Sequence, residues 1–169
     1  PMASCQFTPS GTPATSYNYL TQWDVGSVIF AHMAALDLGF ISPETFANWR
    51  EKLIHTLRAA TLSDTHLPRG YFQIAAPYRG SHAYNARDAG RLLSALYALD
   101  RQSEDDDTAV ADLVAGWDLQ ATIVDGVPHS FENGAFVPER DTNCTNYTAR
   151  AFALWDMKAK SAYDVYEQG

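Results

Sequence analysis

The chain has 169 residues, 46% of them hydrophobic and 12% aromatic, enough for one domain with a sizeable core and unlike a disordered chain. Twelve Lys and Arg stand against 20 Asp and Glu, a formal net charge of −8 that repels phosphate backbones and anionic lipid surfaces and argues against a nucleic-acid partner. No apolar run is long enough for a transmembrane helix, so no membrane insertion is expected.

Residues 1–20 carry Pro1, Pro9 and Pro13 among many Ser and Thr, show no period, and are expected to form an extended N-terminal arm. No signal peptide is visible, and a start at Pro1 rather than Met is expected of a trimmed or processed product. Residues 21–169 are expected to form a single helical domain. Apolar spacing predicts a first helix from Asp24 to Leu38, closed by Gly39. Ser42 as cap and Pro43 at the first helical position open a second helix reaching Ala60, so the two form an αα-hairpin with a very short connection. From Ser63 to Ala83 the period is lost to Pro68, Gly70, Pro77 and Gly80, which predicts a long excursion with a short strand around Tyr71–Ile74. A third helix is expected over Ala86–Arg101. The acidic run Glu104–Asp107 reads as a solvated loop leading into a fourth helix over Thr108–Gly116. Ile123-Val124, a turn at Asp125-Gly126 and Val127 read as a small hairpin, and Asn133-Gly134 is a second turn signal. A fifth helix is expected over Asn146–Lys158, with a final turn at Ala162–Tyr166.

One phrase recurs. Trp23-Asp24-Val25-Gly26 and Arg87-Asp88-Ala89-Gly90 each open an Ala- and Leu-rich stretch that ends in Ala-Leu-Asp, and Asn146–Asp156 is a looser copy. Asp24 and Asp88 suit helix N-caps, and the glycines permit close approach of a neighbouring backbone. Repeated apolar helices point to stacked αα-hairpins, none of which buries its face alone.

Trp23-Asp24-Val25-Gly26-Ser27, Asn85–Leu93, Trp117-Asp118-Leu119 and Tyr147–Trp155, in this order, resemble a bacterial family of unknown function related to the glucoamylase-like αα-toroids. The resemblance spans Ser16 to Lys158. It implies a mainly all-α fold, the αα-hairpins of a partial αα-toroid of about half a ring, with long loops and short β-hairpins. It also implies a link to polysaccharides of β-glucan type. Relatives carry an acidic residue just before the last helix motif, where this chain reads Asp141-Thr142-Asn143-Cys144-Thr145-Asn146-Tyr147.

Glycoside hydrolysis needs two carboxyl groups flanking the scissile bond. Candidates near helix starts or in long loops are Asp24, Asp88, Asp118, Glu132, Glu139 and Asp141. Capping explains Asp24 and Asp88 equally well, and Asp118 reads as a turn residue. Glu132, beside Phe131, is the favoured general acid, with Asp24, Asp88 or Asp141 as its partner. Trp23, Tyr71, Tyr78, Tyr84, Trp117 and Phe131 offer faces for sugar rings, and Arg87 and Arg91 offer hydrogen bonds, although pairs such as Arg87–Asp88 or Arg91–Asp24 equally suit a structural role. The five histidines are scattered and the two cysteines far apart, so no metal and no cofactor are expected. Cys5 and Cys144 either bridge the N-terminal segment to the last helix or remain two thiols. Few lysines and Asn/Thr-rich aromatic loops favour an extracellular or periplasmic location. Two functions follow. The chain is a glycan-related domain that binds, and with its acid pair hydrolyses or remodels, a polysaccharide. Alternatively it is a non-catalytic extracellular subunit that forms a homo-oligomer or larger assembly through its arm and open helical faces.

Overall fold

The computed structural model describes residues 3–7, 9–10, 13–102, 107–139 and 142–160. Asp141, the Glu104–Asp106 run, the turn at Ala162–Tyr166 and the side chains of Cys5 and Cys144 lie outside the described residues.

Helix α1 (Gln22–Asp37) starts from a capping box. The Thr21 hydroxyl accepts the Asp24 N–H at 3.1 Å, and the Asp24 carboxylate accepts the Thr21 N–H at 3.0 Å. Asp24 therefore acts from the third helical position, and Thr21 is the cap. Helix α3 (Ala86–Arg101) repeats one half of the box, with the Asn85 Oδ1 accepting the Asp88 N–H at 3.0 Å. Helix α2 (Pro43–Ala59) begins at Ser42 and Pro43 as its sequence predicts, and Gly39, at φ 73°, makes the turn that reverses the chain between α1 and α2. Helix α4 (Ala109–Ala115) is short, and α5 (Thr142–Ala153) starts four residues earlier than its apolar period indicates.

Helices α1, α3 and α5 lie side by side and run parallel. Gly26 faces Arg91 near one end of the α1–α3 contact, and Asp37 meets Gln102 near the other. Gly90 faces Thr148 in the α3–α5 contact, and the Trp155 indole N–H donates to the Leu93 carbonyl further along. A Cβ on Gly26 would lie 2.7 Å from the Arg91 carbonyl oxygen, and one on Gly90 would lie 3.0 Å from the Thr148 Cα. The repeated glycine thus sets the spacing of both helix pairs. At the matching place in α5, the buried Thr148 hydroxyl instead donates to the Ala86 carbonyl at 3.0 Å. Helix α2 returns against α1 and also packs on α4, and α4 packs on α3. Ile29, Leu57, Leu92, Leu93, Leu96, Leu99 and Phe152 fill the space between them, each buried side chain contributing about 1.5–3 kcal/mol.

The mainly all-α expectation is corrected by the strands. Strands β1 (Ala3–Phe7) and β2 (Pro13–Tyr17) pair with each other. Strands β3 (Tyr19–Thr21), β4 (Tyr71–Gln73) and β5 (Ala76–Gly80) form one three-stranded antiparallel sheet. Strands β6 (Ile123–Val124), β7 (Val127–Glu132) and β8 (Ala135–Pro138) form another. The fold is mixed α/β, not a mainly α-helical partial toroid. The physical reason is that the aromatic segments between helices satisfy their backbone groups by pairing, in part across long sequence separations. Tyr19 pairs with Gln73, and Tyr84 makes an isolated bridge to Phe131. Both three-stranded sheets sit where α1, α3 and α5 begin, because each closes a connection into one of those helices.

Candidate functional site

The N-terminal ends of the three parallel helices converge. Each contributes positive dipole charge there, which favours carboxylates. Asp24 on α1, Asp88 on α3 and Glu139, just before α5, come close enough for Asp24 and Glu139 each to disfavour ionisation of Asp88. Burial pushes the half-buried Asp88 carboxyl above the ordinary carboxylate range. The Arg87 guanidinium pulls it down, and the charges of Asp24 and Glu139 push it up again. Asp24 is committed locally, since its Oδ2 accepts from both the N–H and the hydroxyl of Thr21, each at 3.0 Å. Glu139, its side chain only 8% exposed, faces Arg87 at 3.7 Å.

Aromatic rings border these carboxylates. The exposed Trp23 lies against Tyr147, with centroids 5.8 Å apart, and the Arg91 guanidinium sits over Trp23 at 5.7 Å and over Phe30 at 4.7 Å. The two arginines therefore make neither ion pair that their sequence neighbours offer. Arg87 turns to Glu139, and Arg91 to the rings. The result is a surface with one carboxyl biased towards its protonated form, a second carboxylate held beside a guanidinium, and an exposed indole.

Glu132 stands apart from this group. It lies on the exposed tip of the β7–β8 hairpin and, with Tyr71, Ser81, His82 and Asn133, lines a separate cleft of about 640 Å³ between the two three-stranded sheets. From the ladder, in which Glu132 faces Ala135 and the Glu139 N–H meets the Pro128 carbonyl, Glu132 and Glu139 are separated by about 14 Å along the hairpin. The structure thus does not bring Glu132 together with Asp24 and Asp88. Among the proposed binding aromatics, Trp23, Tyr71 and Tyr78 are exposed, and Arg79 covers one face of Tyr78. Tyr84, Trp117 and Phe131 are core residues. Tyr84 is fully enclosed, with its hydroxyl pKa pushed up by burial and eased by Thr122. Trp117 donates its indole N–H to the Thr61 hydroxyl at 2.9 Å. These three present no face to a ligand.

Glu139 stands among the sequence candidates but behind Glu132, and the residues passed over are His82, which lines the cleft, and Asp64, which pairs with it. Glu139 has a readable signal. Because α5 begins at Thr142, Glu139 and Asp141 both stand just before it in sequence, and Glu139 is the one of the two among the described residues.

The DUF3131 family, described as protein of unknown function, matches residues 10–168. The chain belongs to it. No curated protein and no solved structure matches this DUF3131 chain. No helix among its described residues is long and apolar enough to cross a membrane. Among the described residues, no group of three or more His, Cys, Asp and Glu side chains is placed to hold a metal ion.

Proposed function

We propose that this DUF3131 domain binds an extracellular or envelope polysaccharide of β-glucan type where α1, α3 and α5 begin, and cleaves or remodels it by acid–base chemistry. The observation that supports this reading is the meeting of Asp88, Glu139 and Asp24 beside the exposed Trp23 and Tyr147. Asp88, with its pKa raised by burial, takes the role of general acid, and Glu139, positioned by Arg87, that of base or nucleophile. Asp24 is left to capping and to its electrostatic effect on Asp88. Trp23 supplies a face on which a sugar ring stacks. The likeness of the helix motifs to glucoamylase-like proteins adds to the same reading.

The test is the release of reducing ends from soluble β-glucans, together with direct binding. Asp88→Asn and Glu139→Gln should each lower release by about 10²–10⁴-fold while binding persists. Binding without release by the natural protein removes the catalytic part, and absence of both refutes the reading.

A second reading, a self-assembling non-catalytic subunit, has one observation in its favour. At the α1–α2 turn, far from the carboxylates, Leu38 and Phe40 are 68% and 79% exposed. Light scattering separates the two readings. Regular assemblies that Phe40→Ser disperses, with no glycan bound, favour the second.

A further inference from the structure

The cleft between the sheets has its own chemistry. Its floor is backbone, because a Cβ on Gly80 would collide with the Tyr71 carbonyl oxygen. Tyr71 forms one wall. Its ring edge packs on Tyr19 with centroids 5.6 Å apart, and its backbone is held by Ser81, whose N–H donates to the Tyr71 carbonyl at 3.0 Å and whose hydroxyl accepts the Tyr71 N–H at 3.1 Å. The ring is 43% exposed, so it has surface left for a ligand. His82 is fixed from two sides. Its Nε2 lies 3.0 Å from the Asp64 carboxylate, and its ring packs edge-on against Phe131. The opposite wall is the β7–β8 turn, where Asn133 and Gly134, both at positive φ, hold Asn133 and Glu132 at the tip.

This lining excludes some ligands and favours another. Among the described residues no Lys or Arg lines the cleft, and the neighbouring Arg69 donates to the Ser81 carbonyl at 2.9 Å, so the cleft does not suit phosphate or another anion. Apart from Tyr71 it offers no large apolar side chain among the described residues, so it does not suit an acyl chain. One aromatic face opposed by a carboxylate, an amide, an imidazole and a hydroxyl is the combination that takes a neutral polyhydroxylated ring. We propose that the cleft is a second sugar-binding subsite. Tyr71 stacks on one ring of a glycan whose more distant part lies on the helix N-termini, and Asp64 acts as a positioning residue for His82. Deepening the glycan reading, on which it rests, the proposal makes the domain selective for chain length, because the two places are separated along the β7–β8 hairpin.

The experiment measures the affinity of short and long β-glucan oligosaccharides by calorimetry for the natural protein and for Trp23→Ala, Tyr71→Ala and His82→Ala. Tyr71 and His82 are exposed, and unchanged thermal melts establish that the variants fold. The expected result is that Tyr71→Ala weakens long oligosaccharides about tenfold and leaves short ones unchanged, that His82→Ala acts in the same sense, and that Trp23→Ala weakens both. Asp64→Asn should reproduce part of the His82→Ala loss. If long oligosaccharides bind all the cleft variants as they bind the natural protein while Trp23→Ala abolishes binding, the subsite is refuted and the glycan reading stands. If no oligosaccharide of either length binds the natural protein, both fall.

Discussion

Gly26→Ala tests the packing logic on which the site rests. Gly26 lies inside α1 at an ordinary helical φ, so Ala there gains about 1 kcal/mol of intrinsic helix preference. Against that, the added methyl would sit 2.7 Å from the Arg91 carbonyl oxygen and 2.9 Å from both its carbonyl carbon and its Cγ. Two of these three atoms are backbone, and they belong to a helix that is itself wedged against α5, so the neighbour cannot swing aside. Overpacking of this kind costs about 1–3 kcal/mol, and a clash with backbone places this site near the upper end. The net expectation is a loss of about 1–2 kcal/mol, or some 2–8 °C in Tm for a domain of this size. Gly116, at the end of α4, is the control. Its Cβ would meet nothing closer than 3.4 Å, its φ is −74°, and Gly116→Ala should stabilise by about 0.4–1 kcal/mol. Urea unfolding of both variants measures the two signs. If Gly26→Ala stabilises as Gly116→Ala does, the α1–α3 spacing is not set by that glycine and the account of the repeated phrase is wrong.

The remaining expectations concern single interactions. Asp88 has a folded-state pKa above its unfolded value of 3.8, so the folded protein binds its proton more tightly. Its ionisation therefore costs stability as pH rises through that window. Asp88→Asn should melt higher than the natural protein at neutral pH, with the difference fading as pH falls towards 3.8, and a pH-independent difference would contradict the burial argument. Thr21→Ala removes the capping box of α1 and should cost about 0.5–2 kcal/mol in denaturant unfolding, while Thr21→Ser keeps most of it. Trp117→Phe loses the indole bond to Thr61 and leaves that hydroxyl without its donor, so a destabilisation of about 1–3 kcal/mol should appear in the same assay.

Helices that carry local signals are legible in the sequence. Ala86–Arg101 has its observed limits, and Ser42 with Pro43 opens α2, because caps, proline and a long apolar period are properties of neighbouring residues. The turns at Asp125-Gly126 and Asn133-Gly134 were readable for the same reason, since both need positive φ at two positions. Strand β3 was not. Three residues carry no period, and their partners at Tyr71–Gln73 are some fifty positions away. The site divides in the same way. Asp24, Asp88 and Trp23 stood out because they belong to a repeated phrase. Glu139 ranks behind Glu132 in the sequence because Glu132 has an aromatic neighbour in Phe131, and nothing local to Glu139 shows that it meets Arg87 and Asp88. Tyr84 and Phe131 had looked like loop aromatics. The bridge between them, which draws both into the core, joins residues 47 positions apart and leaves no trace in either neighbourhood.

The parallel course of α1, α3 and α5 has a further consequence. Their two ends are under unequal constraint. At one end the chain must reverse from α1 into α2 within residues 38–42, a span that fixes the helix register and tolerates little change. At the other end residues 60–85 and 116–139 cross between helices with room to spare. Insertions, deletions and substitutions can accumulate in those crossings while the helices stay where they are. Members of the family are therefore expected to differ mainly in their sheets. Exchanging residues 60–85 between two members should move ligand preference from one to the other and leave the melting temperature of the recipient close to its own.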